Sequence, residues 1–146
     1  MRSNDLRFVT DCRLMDIEWI QSELTAKSYW AKGRTQKQVL RSIENSHAFG
    51  VFRELRQIAF ARVVTDLVSV AYIADVWVEE SERGNGIGRW MLEQIFGFVL
   101  FSEVKRWLLV TKDAQGIYRE FGFSRLNAPE EYMERLLNTG GVDGSN

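Results

Sequence analysis

A single cysteine, Cys12, and a single histidine, His47, put two classes of chemistry out of reach. One thiol cannot close an internal disulfide, and one thiol with one imidazole is too few ligands for a Cys/His metal site, so no metal is expected. An excess of charge of one sign is also missing. Nineteen Lys and Arg face twenty Asp and Glu, a net charge of −1 at pH 7, which withholds the basic surplus that electrostatic binding of nucleic acid or membrane relies on. There is no long hydrophobic run either: Ile95 to Phe101 falls well short of the ~18 residues that cross a bilayer. Met1 to Thr10 carries Arg2, Asp5 and Arg7 with no apolar run behind them and does not read as a secretory signal. The expectation is a cytoplasmic protein with no nucleic-acid and no membrane partner.

What is present suffices for one core. The chain has 146 residues, 45% of them apolar and 27% charged, which suits a single domain over residues 1–137. Asn138 to Asn146 offers little to bury and reads as a loose tail over 138–146. Leu14, Ile17, Ile20 and Leu24 recur at helical spacing, and Val39, Leu40 and Ile43 mark a second helix opened by a capping box, Thr35 with Gln38. From His47 the texture becomes β-branched and aromatic. Ala48–Phe52 and Ile58–Val64 read as a hairpin across the polar Arg53–Gln57, and Val68–Val78 as the next strand of an antiparallel meander. A glycine loop follows, then a helix through Leu92, Ile95, Phe96 and Val99. Arg106–Thr111 reads as a buried strand parallel to Val68–Val78, since a helix crosses between them. Asp113 is placed to cap a short helix through Tyr118 and Glu120. Phe121–Phe123 and Tyr132–Leu137 close the chain, the latter open between strand and helix.

The loop between strand and helix, Ser81 to Gly88, holds Gly84, Gly86 and Gly88. Glycines there let backbone approach a ligand and aim unpaired helix-start N–H groups at it, which favours an anion such as a pyrophosphate. It is not a Walker A loop, because Gly88 is followed by Arg89-Trp90 and not by Lys-Ser or Lys-Thr. Nor is it a dinucleotide fingerprint: position 89 is not glycine, and the strands before it read as antiparallel. A glycine-rich turn with no ligand is the competing reading.

Val76-Trp77-Val78 followed by Arg83-Gly84-Asn85-Gly86-Ile87-Gly88 resembles the acyl-coenzyme A loop of the GCN5-related N-acetyltransferases (GNAT), matching its pattern at Arg83, Gly86 and Gly88. Asp113 to Phe123, with Tyr118 leading into Gly122-Phe123, resembles the second hallmark of that family. The two motifs stand in the family's order, and the likeness covers about residues 47–137. The resemblance implies an α/β (α+β) fold, a mixed, mainly antiparallel twisted sheet with helices on both faces, splayed between Val68–Val78 and Arg106–Thr111. It also implies acetyl-CoA as cosubstrate. The amides of Arg83, Gly84, Asn85, Gly86, Ile87 and Gly88 would hold the pyrophosphate, and the edge of Val76, Trp77 and Val78 would pair with the pantetheine arm. Asp113 stands where many relatives have Asn, which puts a side-chain contact to that arm in question.

Acyl transfer to an amine needs an uncharged amine, donors for an oxyanion and a proton for the departing thiolate. The resemblance puts Tyr118 beside the sulfur as general acid; a core tyrosine with a satisfied hydroxyl is the other reading. The N–H groups near Val76 and Trp77 are oxyanion candidates. Asp75 is a carboxylate inside an apolar strand, and reads either as the base or as an ion-pair partner of an arginine such as Arg34 or Arg62. Glu79 and Glu80 read as a solvated strand end. Tyr29, Trp30 and Arg34 lie between the first two helices, where relatives cover the acceptor pocket; aromatics and cations there suit an amine that also carries a carboxylate or phosphate, and equally suit a loop that covers core. His47 reads as structural, and Cys12 as no nucleophile. The expected function is N-acetyl transfer to a small-molecule amine, with a non-catalytic acyl-CoA-binding module as the alternative. Self-association into a homodimer through a sheet edge or an exposed tryptophan is compatible with the composition.

Overall fold

The computed structural model describes residues 5–137; the expected tail and residues 1–4 of the expected domain lie outside the described residues. Five strands form one sheet in chain order: β1 (Leu6–Val9), β2 (His47–Arg53), β3 (Arg56–Thr65), β4 (Ala71–Val78) and β5 (Trp107–Leu108). The first four are antiparallel neighbours and β5 joins β4 in parallel. Four helices accompany them: α1 (Ile17–Lys27), α2 (Gln36–Glu44), α3 (Ile87–Phe96) and α4 (Gln115–Glu120).

Both faces of the sheet are covered, which explains why β2 and β3 read as nearly unbroken apolar runs and do not alternate. On one face Ile20 and Leu24 of α1 and Val39 and Ile43 of α2 pack on Phe52 and Phe60. On the other, Ile87, Met91, Leu92 and Ile95 of α3 and Tyr118 of α4 pack on Phe49, Val51 and Ile73. Phe49 and Phe60 are each 1% exposed, so truncating either to Ala should cost about 3–5 kcal/mol. The fold is therefore the mixed, mainly antiparallel α/β sheet with helices on both faces that the family resemblance implied.

The capping box at α2 forms as read: Thr35 Oγ1 accepts the Gln38 N–H at 3.1 Å, and Gln38 Oε1 accepts the Thr35 N–H at 2.9 Å. Several boundaries differ for local reasons. α1 starts at Ile17 because the Asp16 carboxylate accepts the Trp19 N–H at 3.0 Å; Leu14 falls in the preceding 3-10 turn and is 57% exposed. Short β1 was not foreseen. β4 starts at Ala71, three residues late, because the Asp66 carboxylate takes the N–H groups of Val68 and Ser69 at 2.9 and 2.8 Å in a local turn. α3 stops before Gly97, leaving Val99 exposed in a short 3-10 turn. The strand expected over Arg106–Thr111 contracts to Trp107–Leu108. Asp113 does not cap α4: the residue ahead of that helix is Ala114, whose N–H goes to Thr111 Oγ1 at 3.1 Å. Beyond the 3-10 turn Pro129–Glu131, residues 132–137 are neither strand nor helix.

Candidate active site

β4 and β5 touch only through Ala71 with Trp107 and Tyr72 with Leu108. Beyond that they part, and a cavity of about 160 Å³ opens between them. Ile73, Ala74, Asp75 and Val76 line one wall, Leu109, Val110 and Thr111 the other, with Tyr118 and the exposed Asp113 also lining it. Among the described residues, the edge of β4 that faces the gap has no strand beside it after Tyr72.

The wall of β4 is bent where it matters. Ala74 pairs with Arg62 and Trp77 with Phe60, so the register slips by a residue and β4 bulges at Asp75 and Val76. Asp75 has φ 55°, a left-handed conformation inside a strand, which costs about 1–3 kcal/mol unless its surroundings hold it. They do. Asp75 is 1% exposed, Oδ2 accepts Arg62 Nε at 2.6 Å and an Arg34 guanidinium nitrogen at 2.8 Å, and Oδ1 accepts Trp30 Nε1 at 3.0 Å. Burial pulls its carboxyl pKa upward, but the charges of Arg62 and then Arg34, with their hydrogen bonds, outweigh it and hold the group below its ordinary value. Of the two readings the sequence left open, the ion pair is the one formed. A carboxylate with both oxygens engaged and a lowered pKa is a poor proton acceptor, so the reading of Asp75 as the base is set aside.

Tyr118 differs in kind. It is 7% exposed, its ring meets Phe123 edge-on at 5.8 Å, and among the described residues its hydroxyl makes no hydrogen bond. Burial, with a smaller contribution from Tyr29, pushes its pKa up to about 12.

At the mouth of the cleft the chain turns into α3. Gly86 caps that helix with φ +79°, so the loop needs glycine there for conformation, whereas a Cβ on Gly88 would stand 3.4 Å from Val78 Cγ2, an ordinary contact. The first intrahelical bond is Trp90 N–H to the Gly86 carbonyl, which leaves the amides of Ile87, Gly88 and Arg89 at the helix start without intrahelical partners. The Ile87 side chain is 1% exposed and anchors that start in the core, while Gly84, Asn85 and Arg83 are exposed. Arg83 Nε donates to the Val78 carbonyl at 2.9 Å and its guanidinium lies 4.6 Å from the Trp77 ring. The segment ahead of the loop is latched to the β2–β3 hairpin: Arg53 binds Glu82 at 3.0 Å, and Arg56 binds Glu82 at 2.8 Å and also Glu79. Glu79 further accepts Trp19 Nε1 at 3.3 Å and the Ser81 hydroxyl at 3.1 Å. It is therefore an anchored residue and not a solvated strand end; Glu80 is exposed as read.

The Tyr29–Arg34 segment reaches both walls. Trp30 is 9% exposed and meets Trp77 and Tyr29 edge-on at 5.8 and 4.9 Å. The Tyr29 hydroxyl accepts the Lys112 N–H at 3.3 Å, and the Lys112 ammonium lies 4.6 Å from its ring. Arg34 is committed to Asp75. Two further buried polar residues, one in this cluster and one that bonds to the backbone ahead of α1, went unread in the sequence. Glu23, buried on α1, accepts Trp77 Nε1 at 3.1 Å and pairs with Lys27 at 2.7 Å; its signal was a carboxylate three residues after Ile20, on the apolar stripe itself. Gln57 is 1% exposed and accepts the Asp16 N–H at 2.8 Å ahead of α1. Among the described residues, no helix is long and apolar enough to cross a membrane.

Comparison with known proteins agrees with this geometry. The profile described as the acetyltransferase (GNAT) family matches residues 13–123. A crystal structure of a Xanthomonas campestris pv. campestris protein, assigned to the GNAT family as an acetyltransferase, superposes with TM-score 0.88 at 35% identity over 90% of this chain and 93% of its own. A Gibberella zeae protein with an acetyltransferase name is 27% identical over 130 residues, 75% of this chain and 73% of its own. A Clostridium acetobutylicum protein described as a predicted acetyltransferase with acetyl-CoA shares the fold, with TM-score 0.67 at 18% identity over 90% of this chain and 96% of its own.

Proposed function

Because the chain belongs to the acetyltransferase (GNAT) family, we propose that it moves an acetyl group from acetyl-CoA to a primary amine of a small molecule, by direct attack within a ternary complex. The observation that carries this reading is the parting of β4 and β5 after Tyr72 and Leu108, directly beside a glycine-started helix. The residues present fit the cosubstrate. The edge of Val76 and Trp77 has no strand beside it among the described residues and suits the amides of a pantetheine arm, the Val78 carbonyl being taken by Arg83 Nε, and the amides from Arg83 to Gly88 with the α3 dipole suit a pyrophosphate. When bound, acetyl-CoA supplies an activated thioester that a neutral amine attacks.

The chain's own groups then have distinct tasks. The bulge at Asp75 and Val76 fixes the direction of the β4 amides that serve as oxyanion donors near Val76 and Trp77. Asp75 positions that bulge through Arg34, Arg62 and Trp30 and does not move a proton. Tyr118 keeps its proton at neutral pH, because its pKa lies far above, and gives it up only as negative charge develops beside its hydroxyl. The attacking nitrogen sheds its proton to water through the open mouth, so the rate should rise with pH as the amine deprotonates. Tyr29 and Trp30 form the acceptor side of the pocket, Asp113 lies along the pantetheine side, and the near-zero net charge favours a small acceptor over a strongly basic protein tail.

Release of coenzyme A thiol, followed over a panel of primary amines with acetyl-CoA, tests this. Amine-dependent release supports the proposal. Binding of acetyl-CoA with no release above buffer for any amine would favour the acyl-CoA-binding module instead.

A further inference from the structure

The acetyl-transfer reading, on which this inference rests, leaves the acceptor open beyond a small primary amine, and the charges behind Asp75 narrow it. Two guanidiniums share one carboxylate there. Arg34 and Arg62 both bind Asp75 Oδ2, and among the described residues Asp75 is the one carboxylate paired with either. The cluster therefore carries a surplus positive charge. The two arginine side chains are enclosed, 13% and 15% exposed, and an enclosed cation without its own counter-ion favours an anion that arrives from outside. Arg62 meets Asp75 through Nε and Arg34 through a single terminal nitrogen. The remaining nitrogens of both forks are open to an acceptor, because among the described residues no unpartnered side-chain nitrogen is sealed from solvent.

The rest of the cleft does not cancel that surplus. Lys112 stands at the mouth with its ammonium on the Tyr29 ring, and Asp113 lines the cavity, so these two offset each other; Glu23 is paired with Lys27. The surplus also adjoins the reacting space. Asp75 and its indole partner Trp30 line the cavity, and so does Ala74, the strand partner of Arg62. Phe60, Arg62 and Val64 alternate onto one face of β3. Phe60 is 1% exposed beneath α1 and α2, while Val64 is 43% exposed. Helical cover on this face thus ends at Arg62, on the side of the sheet opposite α3 and its glycine loop.

We infer that the acceptor is a small amino carboxylate, held by its carboxylate on the Arg34 and Arg62 forks with its amine directed into the cavity. The single charge of a carboxylate cancels the surplus, whereas a dianionic phosphate or phosphonate would overshoot it, and planar guanidiniums grip a carboxylate through paired hydrogen bonds. As the N–C bond forms and the C–S bond breaks, one nitrogen proton passes to water and the sulfur gains one, so the product keeps its carboxylate on the arginines.

Coenzyme A thiol release at saturating acetyl-CoA, at mildly alkaline pH, should be followed for the common α-amino acids, β-alanine and γ-aminobutyrate, each against its own amide, and for β-alanine against aminoethylphosphonate. The amides match in size and carry less basic amines, so they are the faster acceptors wherever the carboxylate is not recognised. For the best acceptor, kcat/KM of the carboxylate should exceed that of its amide on the order of a hundredfold, and β-alanine should exceed the phosphonate. Arg62→Gln removes the surplus charge and should pull the carboxylate-to-amide ratio down to about threefold or less, while Arg62→Lys keeps the charge without the fork and should retain about tenfold. Any loosening of the β4 bulge slows both acceptors alike and cancels in the ratio. If melting shows Arg62→Gln to be unfolded, Arg34→Gln removes the same charge and carries the same expectation. Amides or the phosphonate used as well as the carboxylates, or a ratio unchanged in the folded glutamine variant, would overturn the amino-carboxylate assignment and leave acetyl transfer standing. No release with any amine would overturn acetyl transfer, and this assignment with it.

Discussion

Asp75 and Tyr118 line the same cavity from opposite sides, and their polar atoms are used in opposite ways. Asp75 is wholly committed to the protein: two arginines and an indole take its oxygens, and the result is a fixed bend in β4. Tyr118 is nearly as buried, yet its hydroxyl takes no partner among the described residues, and burial leaves it strongly protonated. Folding satisfies the first group and leaves the second waiting for something to enter the cleft. Buried polarity therefore does not by itself mark a catalytic group; the partners that folding supplies decide what remains for a ligand.

The largest expected effect comes from breaking the committed side. Asp75→Ala strands Arg34 and Arg62 in a part-buried cluster and should cost about 3–5 kcal/mol in denaturant unfolding. Asp75→Asn retains an acceptor oxygen and a side chain that tolerates positive φ, and should lose less. The same group sets an acid limit. Folding lowers the Asp75 pKa, so the stability it contributes is fully present above its unfolded value near 3.8 and is lost as pH falls through the lower folded value. An unfolding series from pH 6 downward should show a smaller acid loss in Asp75→Asn than in the wild type, the remainder coming from other carboxylates held low, such as Asp66 and Glu79. On the waiting side, Tyr118→Phe should lower kcat by ~10²–10⁴ with little change in the KM for acetyl-CoA, while stability moves by no more than ~1 kcal/mol. A stability loss larger than the activity loss would erase the contrast between the two residues. Gly86→Ala meets no atom within 4 Å but must keep φ +79°; about 1 kcal/mol of strain and a several-fold rise in the KM for acetyl-CoA should follow. Asp113→Asn should do least, within ~0.5 kcal/mol in stability and about threefold in KM, because Asp113 is exposed and caps nothing.

Most strands, the helices and the glycine loop were legible in the sequence because each rests on a local signal, apolar periodicity, a capping box or glycines where backbone must turn, whereas their assembly into one sheet with helices on both faces came from the family resemblance. The bulge was not. Positive φ at Asp75 arises from the register of β3 against β4 and from a cation cluster assembled from the loop before α2 and from β3 itself, positions 41 and 13 residues away. From the sequence, a carboxylate in an apolar strand could be paired or free, and only the placement of Arg34 and Arg62 decides. Arg106–Thr111 misled for a related reason. Its residues are apolar enough for a strand, but they diverge from β4 after Leu108 and so lose the ladder that would have made them one. β1 is only four residues long, too short for periodicity to announce, and it is held by its pairing with β2.

The claim on which the rest depends is that the gap between β4 and β5, with the start of α3, holds a coenzyme A species. The melting temperature with acetyl-CoA, coenzyme A, ATP and NADH, each at about 100 times a plausible Kd, tests it most directly, since binding to the folded state at that ratio adds ~2.7 kcal/mol. The account predicts a rise of several degrees with both coenzyme A species and none with ATP or NADH. No rise with either coenzyme A species, or an equal rise with ATP, would contradict it.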